Sequence, residues 1–318
     1  MVWLVAVALV AGAGLPVQTT INTRLGARIG AVFSASLVSF SVGTLVLLLA
    51  LALTRPDVDH RALGEAPWWV WIGGLCGVVF LTANILLMRR LGAAAAVVLP
   101  VVGQVIGGVG LDTLGAFGTT RVPLTVVRGL ATLLVVAGAA LVNLPTSRAP
   151  RPAAPGSAGS PSTDEGGPAR VGVWLLAGLA LVTGTLSATQ TAVNGSLGVR
   201  AGSPLVAASV SFAVGTVALG ALVVLTRAPL GLGRVARTEP WWIWSGGALG
   251  AVFVLINASV APMLGTGLTV SVVLAGQLTG GILADRFGVL GAPRRDVTPA
   301  RVIGLVLVLA GVSAVRLA

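Results

Sequence analysis

The stretch "PVQTTINTRLG" (Pro16 to Gly26) ends a strongly apolar opening with two amides, Gln18 and Asn22, and its pattern returns in "SATQTAVNGSLG" (Ser187 to Gly198). Gln18-x3-Asn22-x2-Leu25-Gly26 becomes Gln190-x3-Asn194-x2-Leu197-Gly198, a shift of 190 − 18 = 172 residues. "VSFSVGT" (Val38 to Thr44) returns as "VSFAVGT" (Val210 to Thr216) at the same shift. One residue is then gained, and "PWWVWIGG" (Pro67 to Gly74) returns as "PWWIWSGG" (Pro240 to Gly247), 173 residues on. At that second shift Phe80 and Asn84 match Phe253 and Asn257, Gly103-Gln104 match Gly276-Gln277, Asp112 matches Asp285, and Arg128 matches Arg301. A register kept this long makes the chain two copies of one unit.

Composition says what solvent the unit lives in. The 318 residues are 56% hydrophobic and 9% charged, with a mean hydropathy of +1.00, whereas soluble domains carry roughly 25% charged residues. A helix crosses the hydrocarbon with about 20 mainly apolar residues. Ten such segments are expected, running about 2–20, 32–53, 68–88, 93–112 and 123–143 in the first copy. Those of the second copy are about 171–191, 204–226, 241–263, 268–285 and 298–315. The fold class is therefore an all-α integral membrane protein. The opening segment lacks a basic leader and recurs later in the chain, which reads as a retained helix rather than a signal peptide.

Between the copies lies "PTSRAPRPAAPGSAGSPSTDEGGPAR" (Pro145 to Arg170), a linker rich in Pro, Gly, Ala and Ser. The expected division is a first five-helix repeat over 1–144, a flexible polar linker over 145–170 and a second repeat over 171–318. Five is odd and the linker is too polar to cross, so the second copy starts from the opposite face. The ten helices then form two inverted five-helix repeats, an architecture of secondary transporters with a site near the midplane. Arg24, Arg28, Arg89, Arg90, Arg148, Arg151, Arg170, Arg227, Arg234, Arg237, Arg286, Arg294, Arg295 and Arg301 fall on the linker's face. Arg55, Arg61, Arg121, Arg128, Arg200 and Arg316 fall opposite, a bias that favours a cytoplasmic linker.

The same placement disposes of nucleic acid as a partner. A net charge of +11 is spread over loops and helix ends rather than gathered on a soluble face. Cys76 is the single cysteine and His60 the single histidine, so a thiolate or zinc centre and the Cys-His and Ser-His-Asp arrangements lack their parts. There is no lysine and hence no Walker-type phosphate loop. No catalytic residue, metal or cofactor is assigned, and an enzyme is not expected.

Taken together, these motifs resemble the drug/metabolite transporter superfamily, in its YdcZ-type branch. They are Gln-x3-Asn-x2-Leu-Gly ending the first helix, "VSFxVGT", "PWWxWxGG", and "AGQLTGGILADRFG" (Ala275 to Gly288) with its Asp and Gly. The likeness covers nearly all of the chain but the linker. The first copy departs in having "VGQ" (Val102 to Gln104), and Arg89-Arg90 where the second has Pro262-Met263. In that branch the five-helix unit occurs alone, in pairs or fused in tandem. The resemblance implies a multi-pass transporter of the bacterial-type inner membrane, an exporter of small metabolites or drugs. Its partners are a small-molecule solute and the bilayer, and a homodimer is an open option.

Polar side chains in hydrocarbon face the bundle interior or a wet cavity. Gln18 with Asn22, and Gln190 with Asn194, share a helix face at i and i+4, while Pro16 weakens the ladder of the first helix and frees carbonyls. Asn84, Asn257, Gln104 and Gln277 complete the candidate substrate-binding set. The competing reading is that these amides only bind helix to helix. Gln104-x3-Gly108-x3-Asp112 and Gln277-x3-Gly281-x3-Asp285 each run along one side of a helix. The two aspartates are candidates for coupling to a proton or cation, or else pair with an arginine such as Arg121 or Arg286. The tryptophan triplets suit an interfacial belt, and "GGLCG" (Gly73 to Gly77) and "GGALG" (Gly246 to Gly250) suit close packing. Glu65, Glu165 and Glu239 all fall in loops, which disfavours a central-glutamate cation exporter. A secondary transporter of a neutral solute is the leading expectation, with a passive channel or a non-transporting scaffold or lipid-interacting protein as rivals.

Overall fold

Hydrocarbon offers backbone amides no water, so each spanning segment must satisfy its own hydrogen bonds, and helices do so. The computed structural model describes residues 2–143, 168–291 and 296–317, with side chains except at 88–98, 168–173, 291 and 316–317. The expected linker lies outside the described residues except for 168–170, which open a helix. Also outside are the side chains of Arg89, Arg90, Arg148, Arg151, Arg170, Arg294, Arg295 and Arg316. Among the described residues there is no strand.

The helices are α1 (Val2–Ile29), α2 (Val32–Thr54), the short α3 (His60–Gly64), α4 (Gly73–Leu114) and α5 (Val126–Val142). There follow α6 (Pro168–Arg200), α7 (Pro204–Thr226), the short α8 (Leu232–Thr238), α9 (Gly246–Leu264), α10 (Thr266–Phe287) and α11 (Pro299–Leu317). Among the described residues, six segments are long and apolar enough to cross a membrane: Val2–Ile29, Val32–Thr54, Trp174–Arg200, Pro204–Thr226, Trp241–Leu264 and Thr266–Phe287. Shorter apolar helices cover Gly73–Leu87, Leu99–Leu114, Val126–Val142 and Pro299–Val315.

Several boundaries differ from the sequence-based expectation. The first helix runs on to Ile29 and its counterpart to Arg200, so Gln18, Asn22, Gln190 and Asn194 lie within helices rather than at their ends. Amides and arginines mark where hydrocarbon gives out, but they do not stop a helix. The backbone turns only at Gly30 (φ 80) and Gly202 (φ 72). Pro16 is accommodated inside α1, where the Thr20 hydroxyl donates to the Pro16 carbonyl at 2.8 Å. The tryptophan triplets form separate 3-10 turns, Trp68–Trp71 and Trp241–Trp244, ahead of α4 and α9.

The third and fourth expected segments are one helical element, α4, whereas Gly265 (φ 84, ψ 157) separates α9 from α10. The two legs of α4 nevertheless run oppositely along α6. Gly73 and Gly77 abut Asn194 and Gln190, while Gly103 and Gly107 abut Leu181 and Thr185.

Contacts between the halves come in exchanged pairs. α1 packs on α10 and α9, and α6 packs on the two legs of α4. α2 meets α7, with Phe40 and Phe212 at 4.9 Å between ring centroids and the Thr44 and Thr216 hydroxyls bonded at 2.8 Å. α5 meets α11 where Gly138 and Gly304 let the backbones touch. The largest core cluster joins Leu4, Val105, Val135, Ala188, Val273 and Val308, so it draws on both halves at once. Leu49, Leu133, Val217, Leu225 and Val306 stand exposed on the outer face, as a lipid-facing surface requires.

Candidate functional site

A cavity of about 110 Å3 lies where α1, α2, α4, α6, α7, α9 and α10 converge. Its wall holds Gln18, Asn22, Asn84, Gln104, Gln190 and Gln277, six of the eight expected binding residues, drawn from both halves. Phe40, Phe80, Phe212 and Phe253 supply the aromatic part, and Thr19, Thr23 and Ser39 the hydroxyls. No ionisable side chain is among the lining residues.

The other two expected residues do not line the cavity, though both are buried. Asn194 donates to the Ser211 hydroxyl at 3.2 Å, and Asn257 donates to the Phe253 carbonyl one turn back at 2.8 Å. Asn84, which does line it, likewise donates to the Phe80 carbonyl at 2.9 Å. Gln104 donates to the Ser187 hydroxyl at 2.7 Å, a bond across helices. The Gln18 Oε1 and both amide atoms of Asn22 are buried without a hydrogen-bond partner among the described residues, as is Asn194 Oδ1. Leaving such an atom unpaired costs roughly 1 to 3 kcal/mol.

The glycine runs explain how the amides are placed. A Cβ on Gly250 would lie 2.5 Å from Gln18 Nε2, and one on Gly77 would lie 2.6 Å from Gln190 Nε2. Gly246 and Gly73 stand likewise against Asn22 Oδ1 and Asn194 Oδ1. Each amide pair at i, i+4 thus sits on a bare glycine pair, also at i, i+4, from the other half. The matching periods were present in the sequence, but nothing there says which helices face each other. Ser39, Phe40, Phe80, Phe212 and Phe253 of the wall lie in the repeated stretches, but nothing in the sequence marks them as facing a cavity.

The two aspartates are paired, with different arginines from those named as examples. Asp112, buried on α4, takes Arg128 Nη2 at 3.1 Å, the Thr266 N–H at 2.9 Å and the Gly267 N–H at 2.8 Å. It therefore caps the N-terminus of α10. Asp285 takes Arg301 Nη2 at 2.9 Å. Arg121 is exposed, and Arg286 reaches Asp296 at 3.3 Å instead. The helix after each aspartate begins with the arginine in its first turn, which brings Arg128 and Arg301 back over the carboxylate. Neither aspartate lines the cavity.

One acid was missed. Glu239 falls in a loop by sequence, yet its side chain is fully buried between Arg24, bonded to Oε2 at 2.6 Å, and Arg28, 2.5 Å from Oε1. Arg24 also lies over the Trp242 ring at 5.0 Å. This cluster sits within two turns of Asn22 along α1.

A bundle of apolar helices around an uncharged polar cavity, with contacts exchanged between its halves, defines a multi-pass protein of the membrane-transporter class. The family model described as "Putative inner membrane exporter, YdcZ" matches this chain twice, over residues 3–141 and 175–314. The chain belongs to that family and is a multi-pass inner-membrane protein. It is similar to the "Inner membrane protein YdcZ" of Escherichia coli (strain K12), 33% identical over 135 residues that make up 42% of this chain and 89% of that one. Among solved structures, one titled "Crystal structure of protein" shares its fold, with a TM-score of 0.60 at 15% identity over 98% of this chain and 94% of the other.

Proposed function

We propose that the chain is a secondary transporter, working as an exporter, for a small uncharged organic solute that both donates and accepts hydrogen bonds. The observation that carries the reading is the set of unpaired amide atoms on Gln18 and Asn22 beside a cavity without charge. A solute that satisfied them would recover the desolvation those atoms have already suffered. The size fits a compact molecule: the cavity is about 110 Å3, and an apolar cavity of roughly 150 Å3 accommodates benzene. The phenylalanines suit an apolar flank on the same solute.

In this reading ten spans form two inverted five-helix repeats with the linker in the cytoplasm, and the solute crosses by rocking one repeat against the other. The exchanged contacts and the doubled family match support the repeat. Asp112 and Asp285 act as ties between helices, since their carboxylates are taken up by Arg128 and Arg301. No enzymatic step is assigned.

The test pairs Gln18→Leu and Asn22→Leu with flux. A metabolite panel is screened by thermal shift on the detergent-purified protein, and the hit is followed by counterflow in liposomes. Each variant should keep its unliganded melting temperature, because a nearly isosteric apolar group replaces an unpaired amide, and should lose saturable uptake. Wild-type uptake with full activity in both variants would refute the assignment. Linear, non-saturating flux would replace the transporter with a channel.

A further inference from the structure

Arg200, the last residue of α6, lines a second cavity of about 360 Å3 beside the break between α9 and α10. The wall carries hydroxyls from Thr119, Thr120, Ser196 and Thr266, and Arg200 is its one ionisable residue. The Arg200 Nε is buried without a hydrogen-bond partner, and no ion pair among the described residues involves this side chain. Asp112, which accepts the Thr266 N–H of this wall, is already engaged by Arg128 and two backbone N–H groups, and Asp59, whose N–H donates to the Ala201 carbonyl, turns its carboxylate to the Ala62 N–H.

The other half shows what is missing. Arg200 matches Arg28 and Ser196 matches Arg24 at the shift of 172, since 200 − 28 and 196 − 24 both equal 172. Arg24 and Arg28 enclose the buried carboxylate of Glu239. At the shift of 173 the place of Glu239 falls on Ala66, since 239 − 173 = 66, and Ala66 packs in the cluster of Leu197 near the end of α6. One end of the bundle thus contains its own carboxylate. At the other, the position of Glu239 is held by an alanine that does not line the cavity, and Arg200 has no ion pair among the described residues. Gly118 of the cavity wall follows Phe117, which packs edge-on to Trp69 at 5.5 Å.

We propose that this cavity is an anion site for a small organic carboxylate, whose carboxyl group takes the role at Arg200 that Glu239 plays at Arg28. The hydroxyls of Ser196 and Thr120 are within the same wall and serve as further donors. The site is separate from the central cavity. Arg200 lies ten residues beyond Gln190, about 15 Å along the helix axis. It needs no solute there.

The probe is sodium propionate against sodium chloride at equal ionic strength, read as a thermal shift of the detergent-purified full chain, so that binding and not flux is measured. Propionate should raise the melting temperature saturably. In Arg200→Gln the half-saturating concentration should rise about tenfold or more, the loss of a charge-assisted bond. Ala66→Glu supplies the carboxylate internally and should abolish the propionate response with the fold intact, which decides the matter should Arg200→Gln fail to fold. An equal response in Arg200→Gln, an undiminished response in Ala66→Glu, or the same rise with chloride would overturn the proposal. So would stabilisation by phosphatidylglycerol or inorganic phosphate and none by propionate, which would make the site one for phosphate groups.

Discussion

Replacing Asp112 by Ala removes three bonds at one point. Its carboxylate holds Arg128 and caps two N–H groups of α10, with the Asp112 and Arg128 side chains 1% and 4% exposed. Breaking a buried ion pair by deleting one partner costs roughly 3 to 5 kcal/mol, since the remaining charge is left uncompensated. Loss of the helix cap adds about 1 kcal/mol. The expected destabilisation is therefore about 4 kcal/mol or more. Asp285→Ala offers an internal comparison, because Asp285 is 32% exposed and water can reach the ion pair. Its cost should be about 1 to 2 kcal/mol. A joint Asp112→Leu, Arg128→Leu exchange removes the stranded charge and should regain all but the cap, leaving a deficit of about 1 kcal/mol. Denaturant unfolding of the detergent-purified chain, followed by tryptophan fluorescence, gives all three values. A cost for Asp112→Ala no larger than for Asp285→Ala would refute the reasoning.

Two further outcomes follow from the helix contacts and the topology. Gly12→Ala forces a Cβ onto the Val273 carbonyl, whereas Gly14→Ala, two residues on, meets open space. The first should lose at least about 2 kcal/mol or fail to assemble, while the second should be neutral or slightly stabilising. The same unfolding curve compares them. In a Cys76→Ser background, a cysteine at Ser157 of the linker should react with a membrane-impermeant maleimide only after cells are opened, and one at Thr120 should react in intact cells. The reverse pattern would invert the proposed orientation.

The sequence by itself determined the class of solvent, the helical fold and the internal duplication, because each is written in composition and in a register that needs no neighbour. It also singled out most of the polar wall: hydrocarbon makes an amide costly wherever it lies, so Gln18, Asn22, Gln104, Gln190 and Gln277 stand out in a one-dimensional reading. Only the tertiary structure decided how those amides are used. Asn84, Gln104, Asn194 and Asn257 spend a donor on protein acceptors, whereas Gln18 Oε1 and Asn22 have none. The glycine pairs face both amide pairs alike, so that difference depends on which other acceptor a neighbouring helix brings within reach, as Ser211 of α7 is brought to Asn194 of α6. Arg128 over Asp112, the burial of Glu239 in a loop and the carboxylate missing beside Arg200 were hidden for the same reason. An ion pair is a matter of distance in space, and spacing along the chain reports that distance only within a single helix.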